Sequence, residues 1–572
     1  MDEIRELKRQ RNWLLLAAFP FLPLIAVYAV VRRGRKKRKN SDKPVFETFA
    51  RFHNRQAGEI REWMEAFKAE LDHRLRRGNL HEMVSRVRRL EPLVPEYGSE
   101  TPVLLLPFSI EPYTKMINSM LELQSGLEFS GADIVVVTSN DCDGAGLVSI
   151  LGQFGTGGEK VLVMDTSRDD PIALRQETFN IFAASPQATE LSEIDVERVL
   201  FELIRSLHPK HVVIADSAMM WNVMSAYGKA LLASATVSAY FSAQDENEFT
   251  SRYFYRFAEL LGGIHVADKG AKERLVERYV LCAADAARIT VLGSVGETKR
   301  TLPALLPSIG GTDSEPLACD GAVDISLIVT VHNETVVTGM SMLAANASVK
   351  AAETAGFVVE KLIALDDATD VARASMSNPV YADWRVLELS ERDLGRARNR
   401  AVRMSRGKYI AFLDADDLFS ENWLAEAARV LDNAADAGER VIAHPEINWI
   451  FDGEDALVAV TPQDSPVFSP ALFYFTNYYD SLCMVPRQAH LDFPYVSRDI
   501  PNGLSYQDQQ FAVETLAAGW RRRAAPNTII FKRRRDTSLV TESRDQRAVI
   551  RQVDALAIEN IPRLIVPPTP TP

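Results

Sequence analysis

The chain has 572 residues, 47% hydrophobic and 25% charged, which exceeds what one hydrophobic core can fill and matches a globular protein rather than a fibrous or disordered one. A formal net charge of -12 argues against a general nucleic-acid binder, which needs excess Lys and Arg to displace counterions from phosphates. Cys142, Cys282, Cys319 and Cys483 are scattered, with neither metal-ligand nor disulfide-framework spacing, which fits reduced thiols in a cytoplasmic compartment.

In chain order, the first expected element is a helix over Trp13–Val31, a stretch without a charged residue that would reach about 28 Å, close to the thickness of a bilayer core. The basic cluster from Arg32 to Lys39 follows at once and outweighs Arg5, Lys8, Arg9 and Arg11 before it, so a single span would leave the rest of the chain in the cytoplasm. The alternatives are a signal peptide, disfavoured by that cluster, and a helix lying on the membrane, allowed by Pro20 and Pro23. Over 44–95, Ile60, Trp63, Phe67, Leu71 and Leu75 recur at helical spacing with a break at Gly78-Asn79, which reads as a stalk or a helical pair able to form a homo-oligomer.

From 100 to 300, apolar runs at Val103–Leu106, Ile134–Val137, Val161–Met164, Val212–Ala215, Thr236–Tyr240 and Ile289–Leu292 alternate with helix-length segments. That rhythm predicts a parallel sheet in a doubly wound, Rossmann-like α/β domain. The turn Asn140-Asp141-Cys142-Asp143-Gly144 has an acidic spacing that would suit a cation, but these are also the residues that a strand-to-helix turn prefers. The strand ends Val212–Ser217 and Ser238–Ser242 resemble the N-terminal half of two-domain GT-B glycosyltransferases, in rhythm rather than in chemistry. A linker is expected over 301–323, a second α/β domain over 324–545, and a helix with a Pro-rich tail over 546–572.

The second α/β domain carries several polar strand ends. The run from Ile325 to Val331 ends in His332-Asn333-Glu334, the run from Glu360 to Leu365 ends in Asp366-Asp367, and Tyr409–Leu413 ends in Asp414-Ala415-Asp416-Asp417. In a parallel α/β sheet the carboxyl ends of the strands are where ligands bind. Carboxylates there can accept from a nucleobase or hold a hard cation against a diphosphate. Taken alone, the acids from Asp414 to Asp417 would equally suit a helix cap before Trp423.

The whole set, from Ile325 to Val540, resembles a family 2 inverting glycosyltransferase of the GT-A fold. The resemblance implies that His332 and Glu334 lie near the nucleotide, that Asp366 recognises the base, and that Arg398 in Ala397-Arg398-Asn399 belongs to the donor site. It further implies Asp414 on the donor ribose or metal, Asp416 as ligand to Mn2+ or Mg2+, and Asp508 as the base that deprotonates an acceptor hydroxyl. Asp508 would otherwise be a helix cap. Gln507 replaces the usual Glu before that base, and Arg535 stands where relatives often have a metal-binding His. Arg534 and Arg535 would grip the departing diphosphate. The Gln-x-x-Arg-Trp signature of processive synthases is missing, which favours few sugar additions. Acceptor contacts are expected from His444-Pro445-Glu446, Trp449, Tyr478, Tyr479 and Asp480.

The expected protein is a single-pass enzyme of the bacterial inner membrane with its catalytic domain in the cytoplasm. It would move a sugar from a nucleotide-diphosphate donor to a glycan or lipid-linked acceptor of surface-polysaccharide synthesis. A scaffold with a decayed transferase domain, or a two-headed transferase with a catalytic middle domain, are the rival expectations.

Overall fold

The computed structural model describes residues 57–564 apart from 108, 128–130, 143, 155–157, 170–177, 242–247, 293–314, 466 and 536–537. The segment Trp13–Val31 and most of the linker therefore lie outside the described residues. Among the described residues no helix is long and apolar enough to cross a membrane.

The strands are β1 (Val103–Leu105), β2 (Ile134–Thr138), β3 (Val161–Asp165), β4 (Thr178–Asn180), β5 (His211–Ala215), β6 (Thr236–Phe241), β7 (Gly263–Val266) and β8 (Ile289–Val291), then β9 (Ile325–Val331), β10 (Val359–Asp366), β11 (Arg385–Leu389), β12 (Tyr409–Asp414), β13 (Leu418–Phe419), β14 (Val441–Phe451), β15 (Ala456–Ala459), β16 (Met484–Pro486) and β17 (Arg521–Arg533). They form two sheets. The seven-stranded one runs β4-β3-β2-β5-β6-β7-β8, and every pairing in it is parallel. Counted from β2 this is the doubly wound order 3-2-1-4-5-6 with one further strand at the far edge. Sequence rhythm finds five of its strands. It passes over β4, of only three residues, and β7, whose four residues begin with Gly263.

The ten-stranded sheet is mixed and runs β1-β15-β14-β16-β12-β9-β10-β11, with β13 and β17 off that path. Its parallel part, β11-β10-β9-β12, is built from strands such as β9 and β12 whose runs of Ile, Leu, Val and Phe are buried on both faces. From β9 the chain moves first to β10 and β11 on one side and then to β12 on the other. The carboxyl ends of β9 and β12 therefore flank a switch point, the place where open α/β sheets bind their ligands.

Three expectations change. Val103–Leu105 was read with the middle domain, but it pairs in parallel with β15 in the second sheet, because an apolar run fixes a strand without fixing its sheet. The expected stalk is a pair of helices, Ala57–Arg77 and Asn79–Leu90, broken at Gly78 as anticipated. Rather than standing free, the pair lays Leu71, Leu75, Leu80, Val84 and Val87 on Ile447, Trp449, Phe451, Leu457, Ile529 and Phe531 of the mixed sheet. An amphipathic stripe demands a partner without naming it. The expected C-terminal helix after 546 is replaced, among the described residues, by 3-10 turns at Asp554–Leu556 and Ile561–Leu564, whose Leu556, Ile561 and Leu564 are buried.

Those buried residues join a core common to both sheets, in which Leu123, Phe201, Ile204 and Leu231 meet Phe468, Leu472, Val513, Val549 and Leu556.

Candidate active site

The mixed sheet gathers the acidic strand ends on one edge. Thr330 and Asp414 are register partners on β9 and β12, and the Thr330 hydroxyl donates to Asp414 Oδ1 at 2.8 Å. Arg398 comes from the helix Leu394–Arg403 and reaches the same oxygen at 2.5 Å, with its own side chain buried against Phe412 and Tyr495. Burial pushes the Asp414 carboxyl up, but the Arg398 guanidinium and the Thr330 hydroxyl outweigh it and hold the group below its usual range.

Asp416 follows in a tight turn. Burial raises its carboxyl and the neighbouring Asp414 adds to that, while Arg535 opposes. Arg535 Nη2 lies 2.5 Å from Asp416 Oδ2 and 3.3 Å from Glu334 Oε1, and Glu334 Oε2 accepts from the backbone N–H groups of His332 and Asn333. Asp417 is no ligand candidate. It is buried, its carboxyl is pushed well up first by burial and then by Asp416, and Oδ1 accepts from the Arg533 backbone.

On the other flank His332 Nδ1 is 2.7 Å from the Asp366 carbonyl oxygen. Asp366 Oδ1 accepts from the backbone N–H groups of Glu391 and Arg392, which fixes its carboxylate at the end of β10. Arg534 bonds through its backbone N–H to Phe451 O and is not brought to the acids by any bond of that kind.

Asp508 sits in the first turn of the helix Gln507–Ala517, where the dipole favours negative charge. The cap position belongs to Tyr506, in the left-handed region at φ 57°, and no side chain caps the helix. Asp508 is therefore not a capping residue. Burial raises its carboxyl, Asp480 adds to that, and Lys532 opposes. Gln507 turns away from it and donates to Asp393 Oδ1 at 2.8 Å and to the Val496 carbonyl at 2.6 Å.

Sequence reasoning missed Lys532 and Thr330. The Lys532 ammonium is 3.1 Å from Asp480 Oδ2, and it is one of the charges acting on Asp414, Asp417 and Asp508. A lysine preceding three arginines, in a run already assigned to phosphate, was the available signal. Most of the expected acceptor contacts belong to the interior. Trp449 stacks on Phe531 in the core, and the hydroxyls of Tyr478 and Tyr479 donate to the carbonyls of Ser469 and Thr461. His444 is buried beside Arg522, and Glu446 is paired with Arg74 of the N-terminal helices. Aromatic rings and paired charges serve packing as readily as sugar binding. Asp480, about a fifth exposed, is the one member of that set near Asp508.

Among the described residues no group of three or more His, Cys, Asp and Glu is arranged to hold a metal ion. Asp414 and Asp416 alone offer two carboxylates, which fits a hard cation that completes its shell with water and phosphate oxygens. Both carboxylates carry a guanidinium contact, from Arg398 and Arg535 respectively.

Residues 326–459 match the sequence model described as Glycosyl transferase family 2, while Asp508, Arg534 and Arg535 lie beyond the match. O-antigen biosynthesis protein RfbC of Myxococcus xanthus is 30% identical over 126 residues, which cover 17% of this chain and 9% of that one. Among solved structures, TarS 1–349 of S. aureus in complex with UDP-GlcNAc aligns at 16% identity and TM-score 0.28, over 38% of this chain and 60% of that one. The mannosyltransferase PcManGT of Pyrobaculum calidifontis in complex with GDP-Man and Mn2+ aligns at 14% identity and TM-score 0.27, over 38% of this chain and 57% of that one. The chain thus spans less than two thirds of each of these proteins. His332, Glu334, Asp366, Arg398, Asp414 and Asp416 all lie within the segment that matches Glycosyl transferase family 2.

Proposed function

We propose that the chain is an inverting glycosyltransferase that moves a sugar from a nucleotide-diphosphate donor to a hydroxyl of a glycan or lipid-linked acceptor in bacterial surface-polysaccharide synthesis. The observation that carries this reading is the gathering of Asp366, Asp414, Asp416, Glu334 and Arg535 along one carboxyl edge of the parallel strands, with Asp508 buried nearby. The polysaccharide context is supported by the likeness to RfbC.

His332 and Asp366 would border the nucleobase, with the Asp366 carboxylate already oriented by two backbone donors. Asp414 and Asp416 would hold Mn2+ or Mg2+, which would neutralise the diphosphate as the sugar bond breaks. Arg398 and Thr330 orient Asp414. Asp508 would take the proton of the acceptor hydroxyl, whose oxygen forms the new bond to the anomeric carbon while the diphosphate leaves with the old bond's electron pair. Arg534 and Arg535 would meet the departing phosphates. The enzyme would be held by the segment Trp13–Val31 on the cytoplasmic face of the inner membrane, which membrane fractionation and reporter fusions at both ends test.

The test of the reaction is release of nucleoside diphosphate from a panel of nucleotide sugars, with manganese or magnesium supplied. Turnover on at least one donor is expected. Asp508→Asn should cut it by about 10²–10⁴-fold with donor binding retained, and Asp416→Ala should abolish metal-dependent binding. No turnover and no donor binding across the panel would sink the enzyme reading. Activity that survives both substitutions would move the chemistry to another site.

A further inference from the structure

Arg535 is held by the very oxygen that a cation would need. One of its nitrogens bridges Asp416, which follows β12, and Glu334, which follows β9, at 2.5 and 3.3 Å. The last two residues of β17, just before it, are fixed differently. Arg533 is buried, donates to Glu91 and Asp452, and also reaches the Asp416 carbonyl, while Lys532 is paired with Asp480. Arg535 is the outermost of the three, with 39% of its side chain exposed.

A guanidinium and a divalent cation on one carboxylate oxygen would repel each other across a few ångströms. The oxygens of a diphosphate, in contrast, offer a guanidinium the bidentate acceptor it fits best.

We propose that Arg535 is an exchangeable counter-ion: in the donor-free protein it occupies Asp416 and Glu334, and it moves to a phosphate oxygen when a cation and a diphosphate enter together. The proposal rests on the reading of Asp416 as a cation ligand. A cation arriving alone must displace the guanidinium from Asp416 and leave it only the longer contact to Glu334. A cation arriving with a diphosphate supplies that partner. The two ligands therefore bind cooperatively, and the coupling is the same from either side.

The experiment measures Mn2+ binding to the full chain by calorimetry, with and without inorganic pyrophosphate. In the unaltered protein, pyrophosphate is expected to tighten Mn2+ about tenfold. Arg535→Gln should bind Mn2+ alone about tenfold more tightly than the unaltered protein and lose most of the coupling, because no bridge has to be broken. Arg429→Gln removes the same charge at an exposed position paired with Glu426 and should change Mn2+ affinity by about twofold or less. An unchanged thermal midpoint shows that Arg535→Gln is folded, as its exposure leads one to expect. The exchange is overturned if Arg535→Gln binds Mn2+ no more tightly than Arg429→Gln, or keeps the full coupling. If Asp416→Ala binds Mn2+ as the unaltered protein does, the cation reading itself has failed and the exchange falls with it.

Discussion

Gln507 stands where the sequence resemblance implies a Glu, and its hydrogen bonds suit an amide. Its amide N–H groups donate to a carboxylate, Asp393, and to a carbonyl, Val496, so a Glu in the same pose would face two acceptors. Gln507→Glu should lower stability by about 1–3 kcal/mol at neutral pH. The introduced carboxyl would have its folded pKa raised above the unfolded one by Asp393. The loss is therefore full above the raised pKa and shrinks as pH falls through it, which denaturant unfolding at several pH values checks. Asp508 is governed by the same kind of argument. Burial and Asp480 both raise its carboxyl, so the acid limb of the pH–rate profile should lie above an ordinary carboxylate's. Asp480→Asn should move that limb to lower pH, because removing the negative neighbour lowers the pKa of the base; a limb that stays in place would show that some other group limits the rate. The identity of Asp366, Asp414, Asp416 and Asp508 as strand-end or helix-start acids was legible from residue type and order. Their counter-charges were not, because Lys532 and Arg535 meet them through separations in sequence that no local pattern records.

The strands of the mixed sheet were legible because β9, β10 and β12 are apolar runs that end in polar residues. How closely they approach each other was not. Gly407 precedes β12, and a Cβ there would lie 2.5 Å from the Ser326 backbone nitrogen and 2.8 Å from the Ile325 carbonyl carbon. Gly407→Ala should therefore cost about 1–3 kcal/mol, read as a shift in the denaturant midpoint, since backbone at both contacts cannot step aside. The N-terminal helices give a second case. Glu91, just past the second helix, meets Arg533, and both side chains are at least nine-tenths buried. Through Arg533 that contact also supports the Asp416 carbonyl and the Asp417 carboxylate. Glu91→Ala leaves a buried guanidinium with one carboxylate fewer, and about 3–5 kcal/mol of stability should be lost. A change within experimental error would mean that Asp452 and solvent replace Glu91 fully. Helical spacing identified this pair of helices and their break. It could not reveal that they cover strands some 360 to 460 residues further along the chain.

Across the whole molecule the two α/β units share one interior instead of meeting at a hinge. Gln124 donates to the Tyr474 hydroxyl, which donates to the Leu556 carbonyl, and Arg205 donates to the Ile550 carbonyl. These bonds stitch the middle unit, the mixed-sheet unit and the C-terminal segment together. Scanning calorimetry should accordingly show a single transition. Phe201→Ala, at a fully buried position of the middle unit, should lower that one midpoint by the equivalent of about 3–5 kcal/mol. Two resolved transitions, with only the first displaced, would show that the units unfold separately. Composition and the linker around Pro303–Pro316 pointed to two domains, and two sheets are present. The shared core escaped notice because an apolar residue in a loop such as Phe468–Tyr474 looks the same whether it fills its own domain or a neighbour's.

The pairing of β1 with β15 sets a schedule for synthesis. Val103 emerges from the ribosome about 350 residues before Leu457, its partner, and the entire middle unit is made in between. At roughly 5–20 residues per second, the first strand and the apolar faces of the two helices before it wait on the order of tens of seconds for the sheet they will cover. The nascent chain therefore needs protection by a chaperone or another apolar surface during that interval, and the middle unit is folded as a loop held open between the two halves of its host.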